Sequence, residues 1–221
     1  MIMNKNRIVV FSNIKGGVGK TTLAECFAHY LAINGEPVAV VDADIQQTLF
    51  HDVQADKLKA PGIQPPWDCI PINTLQPDDT GRILRELKKI PGYVIIDCPG
   101  NLQDPSLEQI FRSADVIVTP VAFDRKTLDG TGTFVKVLKS LRIKARIIFV
   151  PNRIVTTENN AAYVARREEA KQTLGMYGTV TPRVKQSVIF NRIDTFVPLD
   201  SYQFKAVEYA FKMIVEQIEK L

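Results

Sequence analysis

Lys15-Gly16-Gly17-Val18-Gly19-Lys20-Thr21-Thr22 decides the reading of this chain. It follows the apolar run Ile8-Val9-Val10-Phe11 and precedes a helical pattern. Three glycines let the backbone fold tightly, so that successive N–H groups converge on one phosphate chain. A helix starting near Lys20 adds unpaired N–H groups and the positive end of its dipole. Lys20 supplies a point charge for the terminal phosphates, and the Thr21 hydroxyl suits a magnesium ion. Gly16, Gly17, Val18, Gly19 and Thr22 complete a loop fit for a nucleoside triphosphate. The common pattern G-x-x-x-x-G-K-[ST] places a glycine where this chain has Ile14, and a second lysine, Lys15, opens the loop instead.

The flanking sequence alternates strand and helix. Val- and Ile-rich runs at residues 8–12, 38–42, 94–97, 116–120 and 147–151 read as strands buried on both faces. Weaker strands are expected near 176–180 and 69–72. Leu23, Phe27, Tyr30 and Leu31 mark one helix face, ended by Asn34-Gly35 and Pro37. Ile83, Leu84 and Leu87 mark a short helix, Phe134 to Leu141 a third, and Val207 to Ile218 a last one. The order predicts an α/β, P-loop NTPase-like fold: one domain over residues 1–221, a mostly parallel twisted sheet with helices on both faces. Residues 56–79 hold five prolines and little periodicity, so they read as an irregular connection around one short strand.

Two carboxylate signals follow the loop. Asp42-Ala43-Asp44-Ile45-Gln46 stands at the end of a strand, where ligands bind in open α/β sheets. An aspartate there can hold an attacking water, and the same pair can equally cap a helix. Tyr93-Val94-Ile95-Ile96-Asp97 is an apolar strand ending in a carboxylate, the Walker B arrangement for magnesium. Pro99-Gly100 then turns the chain.

A loop beginning K-G-G and ending G-K-T resembles the deviant Walker A motif of the ParA/MinD superfamily, most closely its short ParA-type partitioning ATPases. The resemblance implies an Mg2+-dependent ATPase with ATP as its nucleotide. It implies that Lys15 reaches a partner's nucleotide across a homodimer interface, and that Asp44 orients water while Asp42 and Asp97 support the metal with Thr21. Asn152, in Phe149-Val150-Pro151-Asn152-Arg153, resembles the family's adenine-reading asparagine, and Pro182 is placed against the base. Asn152 also fits a plain turn residue.

Charge is unevenly placed. Residues 1–124 carry 11 Lys+Arg against 15 Asp+Glu, and residues 125–221 carry 17 against 9. A basic half suits contact with nucleic acid, and it equally suits an ordinary solvated surface. Arg183, Lys185 and Arg192 lie in a segment resembling the family's DNA-contacting region, and Arg153, Arg166, Arg167 and Lys171 are looser candidates. The resemblance thus implies non-specific DNA and a ParB-like adaptor as partners, in a cytoplasmic, nucleoid-associated protein.

Other branches fit less well. The C-terminal stretch carries Glu208, Glu216 and Glu219, which oppose anionic lipid, so no membrane partner is expected. Cys26, Cys69 and Cys98 have no metal-ligand spacing and read as buried thiols. Tyr202 and Tyr209 do not make a kinase-type tyrosine cluster. Met1-Ile2-Met3-Asn4-Lys5 offers no apolar leader core, so no signal peptide is expected, and with no helix-turn-helix pattern ahead of the first strand no operator-specific repression by this chain alone is expected. The alternatives kept open are a ParA-like ATPase positioning a protein cargo (conjugation, secretion or a microcompartment) and an ATP-dependent ligase of the dethiobiotin synthetase type.

Overall fold

A computed structural model describes residues 5–155 and 160–221. Of the N-terminal stretch read for a leader core, residues 1–4 lie outside the described residues. Among the described residues, seven strands form one sheet in the order β3-β2-β4-β1-β5-β6-β7. They are β1 Arg7–Phe11, β2 Val38–Asp42, β3 Asp68–Pro71, β4 Tyr93–Asp97, β5 Val116–Val121, β6 Arg146–Pro151 and β7 Thr179–Val180. Every pairing is parallel. The strands' C-terminal ends therefore share one edge, and the loops after β1, β2, β4 and β6 open there together.

Among the described residues, seven α-helices cover the faces: α1 Lys20–Ile33, α2 Thr48–Lys59, α3 Pro77–Leu87, α4 Leu107–Ser113, α5 Arg125–Ser140, α6 Ala161–Gly175 and α7 Ser201–Glu219. Successive β1 side chains point to opposite faces. Val9 and Phe11 pack with Leu23 and Phe27 of α1 and Val207, Phe211 and Ile214 of α7. Ile8 and Val10 pack with Leu84 of α3, Ile110 and Phe111 of α4 and Phe134 of α5. All five residues of β4 are buried, as a strand covered on both faces requires. The three cysteines are buried and free.

The expected strands fall within a few residues of those observed. The connection at 56–79 is more ordered than its prolines suggest. Residues 56–59 are the last turn of α2, and Pro77 opens α3 at its first turn. Proline's missing N–H costs nothing at that position, because the first helical N–H groups have no partner in any case. The third expected helix is α5, which ends at Ser140 and has Leu141 as its C-cap.

Candidate nucleotide site

The loop between β1 and α1 turns on glycines in the left-handed region. Gly17 has φ +74° and Gly19 φ +90°. At Gly19 any Cβ would also stand 2.4 Å from Asn152 Nδ2. The N-cap of α1 is Gly19 itself, with no side-chain cap and no acidic residue in the first turn. Among the described residues, the N–H groups of Gly16, Gly17, Val18 and Gly19 donate to no acceptor in the chain. Uncapped N–H groups at a helix start suit an anion.

Lys20 is buried, with Nζ beside Gly100, where an added Cβ would lie 3.3 Å away. The turn after β4 is thus packed against the loop. Thr21 Oγ1 donates to Asp97 Oδ2 at 2.6 Å. The other oxygen, Asp97 Oδ1, is buried without any partner. Burial pushes the Asp97 carboxyl up to about 7; the Thr21 hydrogen bond opposes that rise, and Asp42 adds to it. A buried oxygen lacking a donor, beside a hydroxyl and a lysine, is the environment that a hard cation with oxygen ligands relieves. Magnesium at a nucleotide takes only one or two side chains, the rest being phosphate and water. Among the described residues there is no cluster of three metal-ligating side chains.

Asp42 lies beside Asp97 in register across β2 and β4. Its carboxylate is already engaged by backbone. Oδ1 accepts from Asp44 N at 3.1 Å and Oδ2 from Phe50 N at 3.0 Å, holding the entry to α2. Asp44 is half-buried, and Oδ1 accepts from Gln46 N at 3.0 Å. Lys15 is half-exposed and makes no salt bridge among the described residues. Its stem lies over Gly130 of α5, where a Cβ would be 3.8 Å from Lys15 Cβ. Glycine inside a helix costs about 1 kcal/mol against alanine. Here it leaves α5 smooth under the lysine.

Beside the loop is a cavity of about 620 Å³ lined by Gly19, Thr22, Asn152, Arg153, Lys185 and Phe190, among others. Asn152 is buried and donates from Nδ2 to the Val18 carbonyl at 2.8 Å. Pro182 and Arg183 are exposed on the strand-to-turn segment after β7. Lys185 faces this cavity, while Arg192 pairs with Asp200 at 3.2 Å. Arg167 is not a surface cation: it is 7% exposed, it stacks on Tyr163, and Nη2 donates to the Val155 carbonyl. Lys171 pairs with Glu168.

Two residues hold the loop in a way that the sequence does not mark, although Arg153 is among the looser candidates for DNA contact. Asn13 is fully buried, donates to the Pro120 carbonyl and to Thr131 Oγ1, each at 2.9 Å, and accepts from Lys15 N at 3.2 Å. It ties the start of the loop to β5 and α5. Arg153 is the other: Nη1 donates to the Gly17 carbonyl.

These elements define a phosphate-loop nucleotide-binding α/β protein. The model for the CobQ/CobB/MinD/ParA nucleotide binding domain matches residues 9–194, and the chain belongs to that family. The chromosome-partitioning ATPase Soj of Thermus thermophilus is 28% identical over 214 residues, covering 83% of this chain and 84% of Soj. Maintenance of carboxysome distribution protein A (McdA) of Halothiobacillus neapolitanus is 26% identical over 198 residues, covering 87% of this chain and 86% of the relative. The McdA–ATP complex of a Cyanothece variant shares the fold, with a TM-score of 0.74 at 18% identity over 96% of each chain.

Proposed function

We propose that this chain is an Mg2+-dependent ATPase that closes into a two-fold homodimer on ATP, binds non-specific DNA as that dimer, and is reset by hydrolysis. The observation that carries the ATP step is the uncapped loop, whose free N–H groups adjoin buried Lys20 and the Thr21–Asp97 pair. Lys20 neutralises the terminal phosphates. Thr21 and Asp97 would hold magnesium, with Asp42 in support, and the ion would offset charge developing on the transferred phosphoryl group. Asp44 orients the attacking water at the end of β2. Lys15, unpaired on the surface of α5, contacts phosphate in the partner's site. Dimer formation thereby reads the triphosphate.

The dimer presents two copies of the basic C-terminal half, which raises avidity for DNA. The candidate DNA contacts Arg183, Lys185 and Arg192 are all exposed, and Arg192 pairs with Asp200. A ParB-like adaptor stimulates turnover and returns the protein to its weak-binding state. No helix among the described residues is long and apolar enough to cross a membrane. The proposed DNA-bound state places the protein in the cytoplasm, on the nucleoid. The relatives named for chromosome partitioning support a DNA cargo, and those named for carboxysome distribution support the second reading, a protein cargo carried on the same track.

A gel shift on DNA of arbitrary sequence, with ATP, ADP and no nucleotide, tests the reading. Retardation with ATP alone supports it. Equal retardation under all three conditions, or none, would overturn the nucleotide-gated step.

A further inference from the structure

The phosphate loop is gripped from outside by two consecutive residues that follow β6. Asn152 Nδ2 donates to the Val18 carbonyl at 2.8 Å, and Arg153 Nη1 donates to the carbonyl of Gly17. The two acceptors belong to successive peptide groups. No peptide bond among the described residues is cis. In a trans peptide the C=O and N–H of one plane point in opposite directions. Drawing the Gly17 carbonyl outward therefore turns Val18 N–H inward. Drawing the Val18 carbonyl outward does the same for Gly19 N–H. These are two of the N–H groups that make no hydrogen bond of ordinary geometry among the described residues.

Both sides of the contact are shaped for it. Arg153 has φ +57°, a left-handed conformation that costs a non-glycine residue roughly 1 kcal/mol or more. Its neighbours hold it there. Asn152 N donates to the Val121 carbonyl at 2.8 Å, Ile154 N to Val184, and Gln186 N back to Ile154. Buried Arg167 fixes the Val155 carbonyl at 2.6 Å. On the loop, Gly19 leaves open the space that Asn152 Nδ2 enters. A strained residue whose chain neighbours are hydrogen-bonded on either side, and whose exposed side chain reaches a ligand loop, is a device for pre-organisation.

We infer that Asn152 and Arg153 are positioning residues for the polyphosphate. They set the N–H groups of Val18 and Gly19 before the nucleotide arrives, and their contribution falls on phosphate binding whatever the base. This rests on the reading of the loop as a nucleoside-triphosphate grip. It also gives Asn152 a different task from reading adenine.

The test is calorimetric titration of the full chain with ATP, GTP and inorganic tripolyphosphate, each with Mg2+. The variants are Asn152→Ala, Arg153→Gly and Arg153→Lys. Arg153→Gly is the decisive one, because glycine accepts the left-handed backbone while the guanidinium is lost. It should melt within about 4 °C of the parent, yet bind ATP and tripolyphosphate about tenfold more weakly, by the same factor for both. Asn152→Ala should behave alike, with the ATP-to-GTP affinity ratio unchanged. Arg153→Lys, which keeps one cationic donor, should recover part of the loss. Parental tripolyphosphate affinity in Arg153→Gly and Asn152→Ala would overturn the inference while leaving the nucleotide grip standing. A loss in Asn152→Ala confined to ATP-over-GTP preference would restore it as a base reader and overturn its positioning role. Failure of the unmodified chain to bind either ATP or tripolyphosphate would overturn the grip and this inference together.

Discussion

The loop side of the sheet edge and the basic C-terminal half differ in how tightly structure fixes their charges. At the loop, Lys20 and Asp97 are buried, Thr21 is bonded to Asp97, and the turn at Gly100 packs against them. In the C-terminal half, Arg183 is exposed, Arg192 already has an acidic partner, and Lys185 faces the cavity beside the loop. A ligand held by buried groups depends on each one. A polyanion held by surface cations depends on their sum. Single substitutions should therefore be severe in the first region and graded in the second.

Lys20→Ala should have the largest effect. Removing the buried cation proposed to meet phosphate should weaken ATP binding roughly 100-fold or more, measured by titration. Near-normal affinity would dissolve the contrast. Asp44→Ala should slow hydrolysis by roughly 100-fold while ATP still binds, trapping a DNA-competent dimer. Unchanged turnover in that variant would remove Asp44 from the reaction.

A pH experiment probes buried Asp97 and half-buried Glu25 without nucleotide. Folding raises Asp97 to about 7 and Glu25 to about 8, each mainly through burial, from ordinary values near 4. The folded chain thus holds protons that the unfolded chain has released, and stability falls as pH rises toward 8. His29, lowered to about 4 by burial, loses stability only below its ordinary value near 6.5. Melting temperature should therefore decline from pH 6.5 to 8, and Asp97→Asn should flatten that slope. An identical slope in the variant would place the titration elsewhere.

The smallest effects belong to the basic half. Arg183→Ala should reduce the slope of log DNA affinity against log salt by about 0.9. Arg192→Ala should reduce it less, because Asp200 already neutralises that guanidinium in part. Equal losses would show that the Arg192–Asp200 pair opens on DNA.

What was legible in the sequence follows the same division. Lys15 to Thr22 could be read because phosphate binding restricts residue type at consecutive positions, and Asp97 because it ends an unbroken apolar strand. Asn13, Thr131 and Arg153 could not. Their partners lie more than 100 residues away in the chain, and nothing local marks an asparagine or arginine as holding a distant carbonyl. The same holds for Arg167, which composition makes a surface cation and the fold buries under Tyr163. Order in the proline-rich connection was hidden for a different reason. Proline breaks a helix from within but begins one readily, and only the position of Pro77 relative to α3 tells which applies.

Lys15 is where the two regions meet, since it alone would pass the state of one pocket to a second molecule. The direct measurement is the mass in solution of the parent chain and of Lys15→Ala, by sedimentation with a non-hydrolysable ATP analogue, alongside nucleotide affinity at monomer concentrations. Dimers for the parent, monomers for the variant and unchanged monomer affinity are the predicted result. Dimers of undiminished stability in Lys15→Ala would contradict it.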